Sequence, residues 1–266
     1  MWFKTLVALL IVGSIWFYIK WRERKLKKEK EILEQTVAER TSEVVEEKKI
    51  VIEKNILVEA QKQLIEEKHK EITDSINYAE RIQRSFIATK EILNENLKNY
   101  FVFFKPKDTV SGDFYWASKL NNGNFALATA DSTGHGVPGA IMSLLNVTSL
   151  EKAIETETKP SNILNVTRRI IIERLKKDGS DEGGKDGMDA SLTVYDFKNM
   201  KLIIAAANNP VWIMRGTEII EIKPDKMPVG KHYKDDVSFT QQEVTLQTGD
   251  VVYTLTDGFP DQFGGV

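Results

Sequence analysis

The sequence predicts an α+β protein: a membrane helix and a long coiled-coil helix, then a sandwich of antiparallel strands covered by helices. Three observations carry this. Residues 2–19 are apolar apart from Lys4, Thr5 and Ser14. Apolar residues then recur every seven positions from Val37 to Phe86. From about Asn94 the chain changes to aromatics, glycines and short apolar runs separated by turn residues, the pattern of many antiparallel strands rather than a doubly wound parallel sheet.

Eighteen residues of helix span about 27 Å, close to the hydrocarbon thickness of a bilayer. Trp2, Trp16, Tyr18 and Trp21 lie towards its two ends, where interfacial aromatics sit. A cleaved signal peptide would want a shorter apolar region and a small-residue cleavage site. Lys20–Lys30 instead carries seven basic residues against two acidic ones, which by the positive-inside rule places the remainder of the chain in the cytoplasm. The expectation is a single-pass anchor over residues 1–20 in the inner (cytoplasmic) membrane.

Residues 21–90 read as a coiled-coil signalling helix. No proline or glycine occurs between Leu26 and Phe86. Val37, Val44, Val51, Val58, Ile65, Ile72, Ala79 and Phe86 hold one heptad position. Such persistence argues a parallel homodimer rather than a lone helix lying on a domain. The alternate seam position is polar (Arg40, Glu47, Lys54, Gln61, Lys68), so the coil is expected to be marginal, as suits a transmitting linker.

Beyond it, Tyr100–Phe104 reads as a first strand, and Asp113–Ser118 with Asn124–Ala130 as a hairpin. Helices are expected over about Gly139–Glu155 and Ser161–Lys176, with Pro138 and Pro160 at their starts, where a missing N–H costs nothing. Lys177–Gly187 reads as a mobile polar loop. Further strands are expected at about Met188–Asp196, Lys201–Ala207, Val211–Arg215, Glu218–Ile222, Val237–Leu246 and Asp250–Thr256.

Composition narrows the chemistry. With 37 basic and 39 acidic residues in 266, nothing argues for nucleic acid. Zero cysteines exclude disulfides, thiolate catalysis and zinc–sulfur sites, and three histidines are too few for a histidine-built metal site. No P-loop or dinucleotide-binding glycine pattern is present. What remains is carboxylate. Asp113, Asp131 and Asp257 each stand where a strand meets a turn, in Ser111-Gly112-Asp113, Asp131-Ser132-Thr133-Gly134-His135-Gly136 and Thr256-Asp257-Gly258. Such groups are turn residues, common where strands end, or oxygen ligands converging on hard cations. Asp189 reads as a polar strand start in preference to a peripheral ligand, and Asp261 as a turn residue.

Pro106–Tyr115, Asp131–Gly136 and Thr256–Gly258, in that order, resemble the motifs of the stage II sporulation E type of metal-dependent (PPM) serine/threonine phosphatases. Ala205-Ala206-Ala207-Asn208-Asn209-Pro210 resembles that family's alanine–glycine–histidine–asparagine–proline turn, with Ala and Asn at the usual Gly and His. Ser75–Gln83 looks like the regulatory helix that precedes the catalytic domain, and Leu33–Thr41 like the signalling helix below sensor spans.

The resemblance implies a two-layer antiparallel sandwich flanked by helices (α/β/β/α) over residues 94–266, with two Mn2+ or Mg2+ ions at one edge. By motif, Asp131 would bridge both ions, Asp113 and the carbonyl of Ser132 would serve one, and Asp257 the other. The family's chemistry is in-line attack on phosphorus by a water that metals about 4 Å apart acidify. It further implies a phosphorylated regulatory protein, of the anti-sigma-factor antagonist kind, as substrate. His135 is a candidate general acid, or else shapes the glycine turn. Two features depart from the pattern. No Asp-Asp segment comes after Asp257, so the chain is expected to be a fragment of a longer receptor, with the domain C-terminally incomplete. No phosphate-gripping arginine is evident either, leaving Lys105 or Lys107. The rival expectation is a catalytically silent phosphoprotein-binding module of the same fold.

Overall fold

The computed structural model describes residues 2–176 and 186–260. Most of the polar loop expected at Lys177–Gly187, and Asp261, lie outside them. The chain divides into two units, Met1–Glu71 and Ile72–Val266.

In the first unit, helix α1 (Trp2–Arg84) runs without a break. Its N-terminal part includes a segment of mean hydropathy 1.8, long and apolar enough to cross a membrane. The coil residues Val37, Val44, Val51, Val58 and Ile65 are all exposed. With no core to hold this stretch, local terms act. Glu, Lys, Leu and Ala favour helix, and i,i+3 or i,i+4 pairs such as Lys20–Glu23, Lys30–Glu34 and Arg40–Glu43 add a few tenths of a kcal/mol each.

In the second unit α1 closes at Arg84, two residues short of the last heptad position. The amides of Ser85 and Phe86 reach back to the carbonyls of Ile82 and Gln83 at 3.0 Å each, a tightened last turn. Phe86 therefore does not continue the helical seam; it packs against the domain's core. A short helix, α2 (Lys90–Asn96), comes next, capped by the Thr89 hydroxyl, which accepts from the Ile92 amide. The sequence reading omitted it.

Strands β1 (Asp113–Lys119), β2 (Phe125–Ser132), β3 (Gly187–Asp196), β4 (Lys201–Ala207) and β8 (Gln242–Thr245) form an antiparallel sheet in that order, with the two-residue β7 (Val229–Gly230) on β3. Strands β5 (Val211–Arg215), β6 (Glu218–Ile222) and β9 (Val251–Thr254) form a second sheet in the order β6-β5-β9. Helices α3 (Gly136–Ile154) and α4 (Pro160–Leu175) supply Val147, Leu150, Ala153, Ile163, Leu164 and Ile171 to a core with Phe114, Trp116, Ala128, Leu192 and Ala205. The period-2 alternation of the same strands turns Ala117, Phe125, Tyr195, Leu202 and Ile204 to the opposite face, where they meet Val211, Ile213 and Ile222 of the second sheet. The described residues thus give three layers, helices on sheet on sheet, with Leu93 of α2 buried in the inter-sheet core. The second helical layer of the expected α/β/β/α stack is not seen among them.

Two expected strands differ. Tyr100–Phe104 is irregular. Its aromatics settle edge-on against other rings, Phe101 on Tyr253 and Phe104 on Tyr115, instead of entering a ladder. The strand expected over Val237–Leu246 shrinks to β8, because side chains take the upstream amides. Phe239 N–H donates to Asn165 Oδ1 at 3.0 Å and Thr240 N–H to Asp225 Oδ2 at 2.7 Å.

Candidate metal centre

Strand register explains why the aspartates meet. Asp113 on β1 pairs with Asp131 on β2, and Asp131 pairs with Asp189 on β3, so three carboxylates stand side by side across three strands. By parity all three share the inter-sheet face with Tyr115, Phe125 and Tyr195. At this end the face turns from apolar to polar. Thr129 of β2 and Thr254 of β9 share a 2.7 Å hydrogen bond between the sheets, two residues before Asp131 and three before Asp257. Asp257 arrives from the second sheet to complete the group.

The backbone is drawn tight around them. Ser132 N–H donates to Gly112 O at 3.2 Å. A Cβ on Gly112 would lie 2.5 Å from Gly134 O and 2.8 Å from Ser132 O, so only glycine lets the two loops approach this closely. Gly134 itself takes φ +94°, turning the chain from β2 into α3. Ser132 is buried, its hydroxyl accepting from Asn146 Nδ2 at 2.9 Å.

Like charges without a counter-ion raise one another's pKa. The Asp131 carboxyl is pushed up to about 7 by burial first, then by Asp113 and Asp257. Burial also raises Asp113, with Asp257 adding to it and a hydrogen bond with Thr256 opposing. Asp189 is raised by burial against the Asn208 amide, which donates to its Oδ1 at 2.8 Å. Asn208 sits at φ +60°, a left-handed conformation that asparagine tolerates better than most residues. Asp113 Oδ1 is buried with no hydrogen-bond partner. Among the described residues, no group of three or more His, Cys, Asp and Glu side chains is placed to hold a metal ion; the carboxylates approach one another without closing. An orphaned buried carboxylate oxygen, carboxyls raised by burial and by one another, and an all-oxygen donor set are the chemistry that suits a hard divalent cation.

The structure therefore brings together Asp113, Asp131, Ser132 and Asp257 of the expected residues. His135 is placed differently. It is the residue before α3, its side chain is 88% exposed, and its Nδ1 lies 3.5 Å from Asp108 Oδ2 rather than on the carboxylates. Lys105 and Lys107 are exposed. The sequence reading took Asp189 for a strand start; it is that, and it is also a member of the cluster. Only its pairing opposite Asp131 discloses this, and pairing between segments 58 positions apart leaves no local trace.

The two-sheet sandwich, with carboxylates at the end of its inter-sheet seam, is similar to a solved PP2C domain. Its structural similarity to the SiaA-PP2C domain of Pseudomonas aeruginosa has a TM-score of 0.64 at 31% identity, covering 74% of this chain and 76% of that one. The chain belongs to the Stage II sporulation protein E (SpoIIE) family, whose match spans residues 121–264, more than half of the sequence. It is also 21% identical over 197 residues to the phosphoserine phosphatase RsbU of Bacillus subtilis (strain 168), covering 71% of this chain and 54% of that protein. The chain thus spans about half the length of that curated relative.

Proposed function

We propose that this chain is a metal-dependent protein phosphatase that hydrolyses phosphoserine or phosphothreonine on a regulatory protein in a signalling pathway. The row Asp113–Asp131–Asp189, joined by Asp257, carries the reading. Asp131 occupies the centre of the row and has a carboxylate on either side, the position from which one side chain can serve two cations. Asp113 flanks it on one side and Asp189 on the other, with Asp257 close to Asp113 and Asp131. Two Mn2+ or Mg2+ ions bound there would supply a hydroxide for in-line attack and neutralise charge on the phosphoryl oxygens. Thr256 holds Asp113 and Asn208 holds Asp189, so each flanking carboxylate has one donor fixing its orientation and oxygen lone pairs left over. His135, exposed and 3.5 Å from Asp108 Oδ2 through its Nδ1, remains the candidate general acid for the leaving alkoxide. The family membership and the phosphoserine phosphatase RsbU support the substrate class.

The finer reading is of a dimeric, membrane-anchored protein. The apolar N-terminal segment spans the inner membrane, the exposed seam Val37–Ile65 pairs in parallel with a second copy, and the sandwich lies in the cytoplasm. A phosphorylated regulator of the anti-sigma-factor antagonist kind is its substrate. The unclosed carboxylates favour a second reading, a silent phosphoprotein-binding module of the same fold.

One experiment separates the two. The purified chain and its Asp131→Asn variant are given a phosphoserine peptide, with and without Mn2+. Turnover that requires Mn2+ and disappears in the variant is expected. A folded, Mn2+-loaded protein that binds the phosphopeptide and releases no phosphate would leave the binding module standing alone.

A further inference from the structure

Between β6 and β7 the chain returns to the carboxylate end of the first sheet and is fastened there on both sides of Lys226. On one side, Asp225 bridges in parallel to Ala207 at the end of β4. Its N–H donates to Ala206 O and its carbonyl accepts from Asn208 N–H, each at 2.9 Å. Its carboxylate accepts from Thr240 N–H at 2.7 Å and from the Thr240 hydroxyl at 3.1 Å. On the other side, Met227 is buried in the core beneath the helices, and Val229–Gly230 pair with Gly187–Met188 at the start of β3. A Cβ on Gly230 would lie 2.6 Å from Asp186 O, so the two backbones meet closely.

Lys226 is therefore a cation whose backbone has a set place. Asn208, held by Asp225, is the residue that donates to Asp189 Oδ1 at 2.8 Å, so two hydrogen bonds join Asp225 to the carboxylate row. The Lys226 side chain is exposed and makes no ion pair or hydrogen bond among the described residues. Its charge nevertheless reaches the row: burial raises the Asp189 carboxyl, and the Asn208 amide and then Lys226 oppose it. An ammonium has three donors and no acceptor, so it cannot join a set of oxygen ligands, and it repels any cation they hold. What such a group serves is an anion. Lys105 and Lys107, the cations left by the sequence reading, stand instead in an irregular stretch.

We propose that Lys226 is a substrate-binding residue: its ammonium grips the phosphoryl oxygens of a phosphoserine or phosphothreonine held on the carboxylate row, from the Asp189 side. This rests on the metal-phosphatase reading of the site. A phosphorylated side chain carries about −1.5 to −2 charge at pH 7, and an ammonium on a flexible four-carbon stem meets it as a point charge with rotatable donors. The one charge acts with opposite signs on the two ligands of the site. It favours the phosphate and disfavours the metal.

The test uses the full chain with Lys226→Gln, Lys226→Arg and Lys223→Gln, the last removing the same charge from the same connection. Lys223 and Lys226 are both exposed, so the fold is expected to hold in all three. Calorimetry gives the affinity for Mn2+ and that of the Mn2+-loaded protein for inorganic phosphate; kinetics give KM and kcat on a phosphoserine peptide. Lys226→Gln is expected to bind inorganic phosphate about ten-fold more weakly and to raise KM by a similar factor, the scale of one hydrogen bond to a charged group. Its Mn2+ affinity is expected to equal or exceed that of wild type, which a merely structural role for Lys226 would not produce. Lys226→Arg, which keeps the charge, and Lys223→Gln are expected to stay near wild type in every readout. Unchanged phosphate affinity in Lys226→Gln, an equal loss in Lys223→Gln, or Mn2+ and phosphate weakened together would overturn the inference, while Mn2+-dependent turnover by wild type leaves the phosphatase reading intact. Wild-type protein that binds no Mn2+ would instead sink that reading, and this inference with it.

Discussion

The two ends of strand β3 hold aspartates whose carboxyls are shifted in opposite directions, Asp189 up and Asp196 down. Asp189 opens β3 and Asp196 closes it; Asp250 lies just before β9 and Asp257 just after it. At one end, Asp196 is held below the usual carboxylate range by the side chain and then the backbone N–H of Asn199. Asp250 is held down by Arg215, which donates through Nε at 2.9 Å and Nη2 at 2.7 Å, with Gln247 N–H adding a third bond at 2.8 Å. At the other end Asp113, Asp131 and Asp189 are all raised, because burial and one another outweigh their few donors. Residue type and strand position are alike at both ends. What differs is the supply of hydrogen-bond donors and positive charge, and that difference separates a carboxylate that closes a turn from one left among its like.

Asp131→Asn challenges this contrast most severely. Phosphatase activity is expected to fall on the order of 10³-fold or more, as when one member of a catalytic unit is removed. Yet the metal-free variant should melt higher than wild type, since the central repelled charge is gone. The sign comes from linkage. The folded pKa of Asp131, about 7, lies above its ordinary 3.8, so its contribution to stability is full below 3.8 and is lost as pH rises through 7. Metal-free wild type should therefore lose stability between about pH 4 and pH 7, Mn2+ should restore it, and the variant should show a flatter profile. A metal-free melting temperature indifferent to pH over that interval would show that the carboxylates do not repel as placed.

Gly112→Ala probes the same end sterically. The added methyl meets two backbone oxygens, Gly134 O at 2.5 Å and Ser132 O at 2.8 Å, neither of which can rotate aside as a side chain would. A destabilisation of about 1–3 kcal/mol is expected, together with weaker Mn2+ binding as the Asp113 and Asp131 loops part. Chemical denaturation gives the first quantity and calorimetry the second. A variant as stable as wild type would mean the two loops lie further apart than their hydrogen bond allows.

The sequence disclosed the end where the carboxylates gather better than the end where each has its partner. Asp113, Asp131 and Asp257 were legible because each stands beside glycine or a sharp turn at the end of an apolar run, and the helices because proline marks their starts. Asp189 was not, since its role comes from lying opposite Asp131 rather than from its neighbours. Tyr100–Phe104 misled because aromatic β-propensity describes a half-buried pleated surface, and here the rings pack on other rings without a ladder. The strand at Val237–Leu246 was overlong because Asn165 and Asp225, distant in sequence, take the amides that a ladder would have used. Phe86 kept the heptad yet left the helix, since a period alone does not say what an apolar residue packs against.

The smallest expected effect lies at the partnered end. Asp250 is 3% exposed at its side chain, and Asp250→Asn leaves Arg215 without its fork of two bonds while an asparagine oxygen can still accept from Gln247 N–H. A fall in melting temperature of about 2–4 °C is expected, with Mn2+ affinity and turnover unchanged, because nothing in this pair reaches the carboxylate row. The pH dependence runs opposite to that of Asp131. A depressed pKa contributes stability that is present above the ordinary 3.8 and is lost as pH falls through the lower folded value, so wild type and variant should differ at pH 7 and converge in acid. Set beside Asp131→Asn, this gives two aspartate-to-asparagine changes on one sandwich with opposite signs in stability and in pH slope. If Asp250→Asn raised the melting temperature instead, the distinction between a partnered and an unpartnered carboxylate would not hold in this fold.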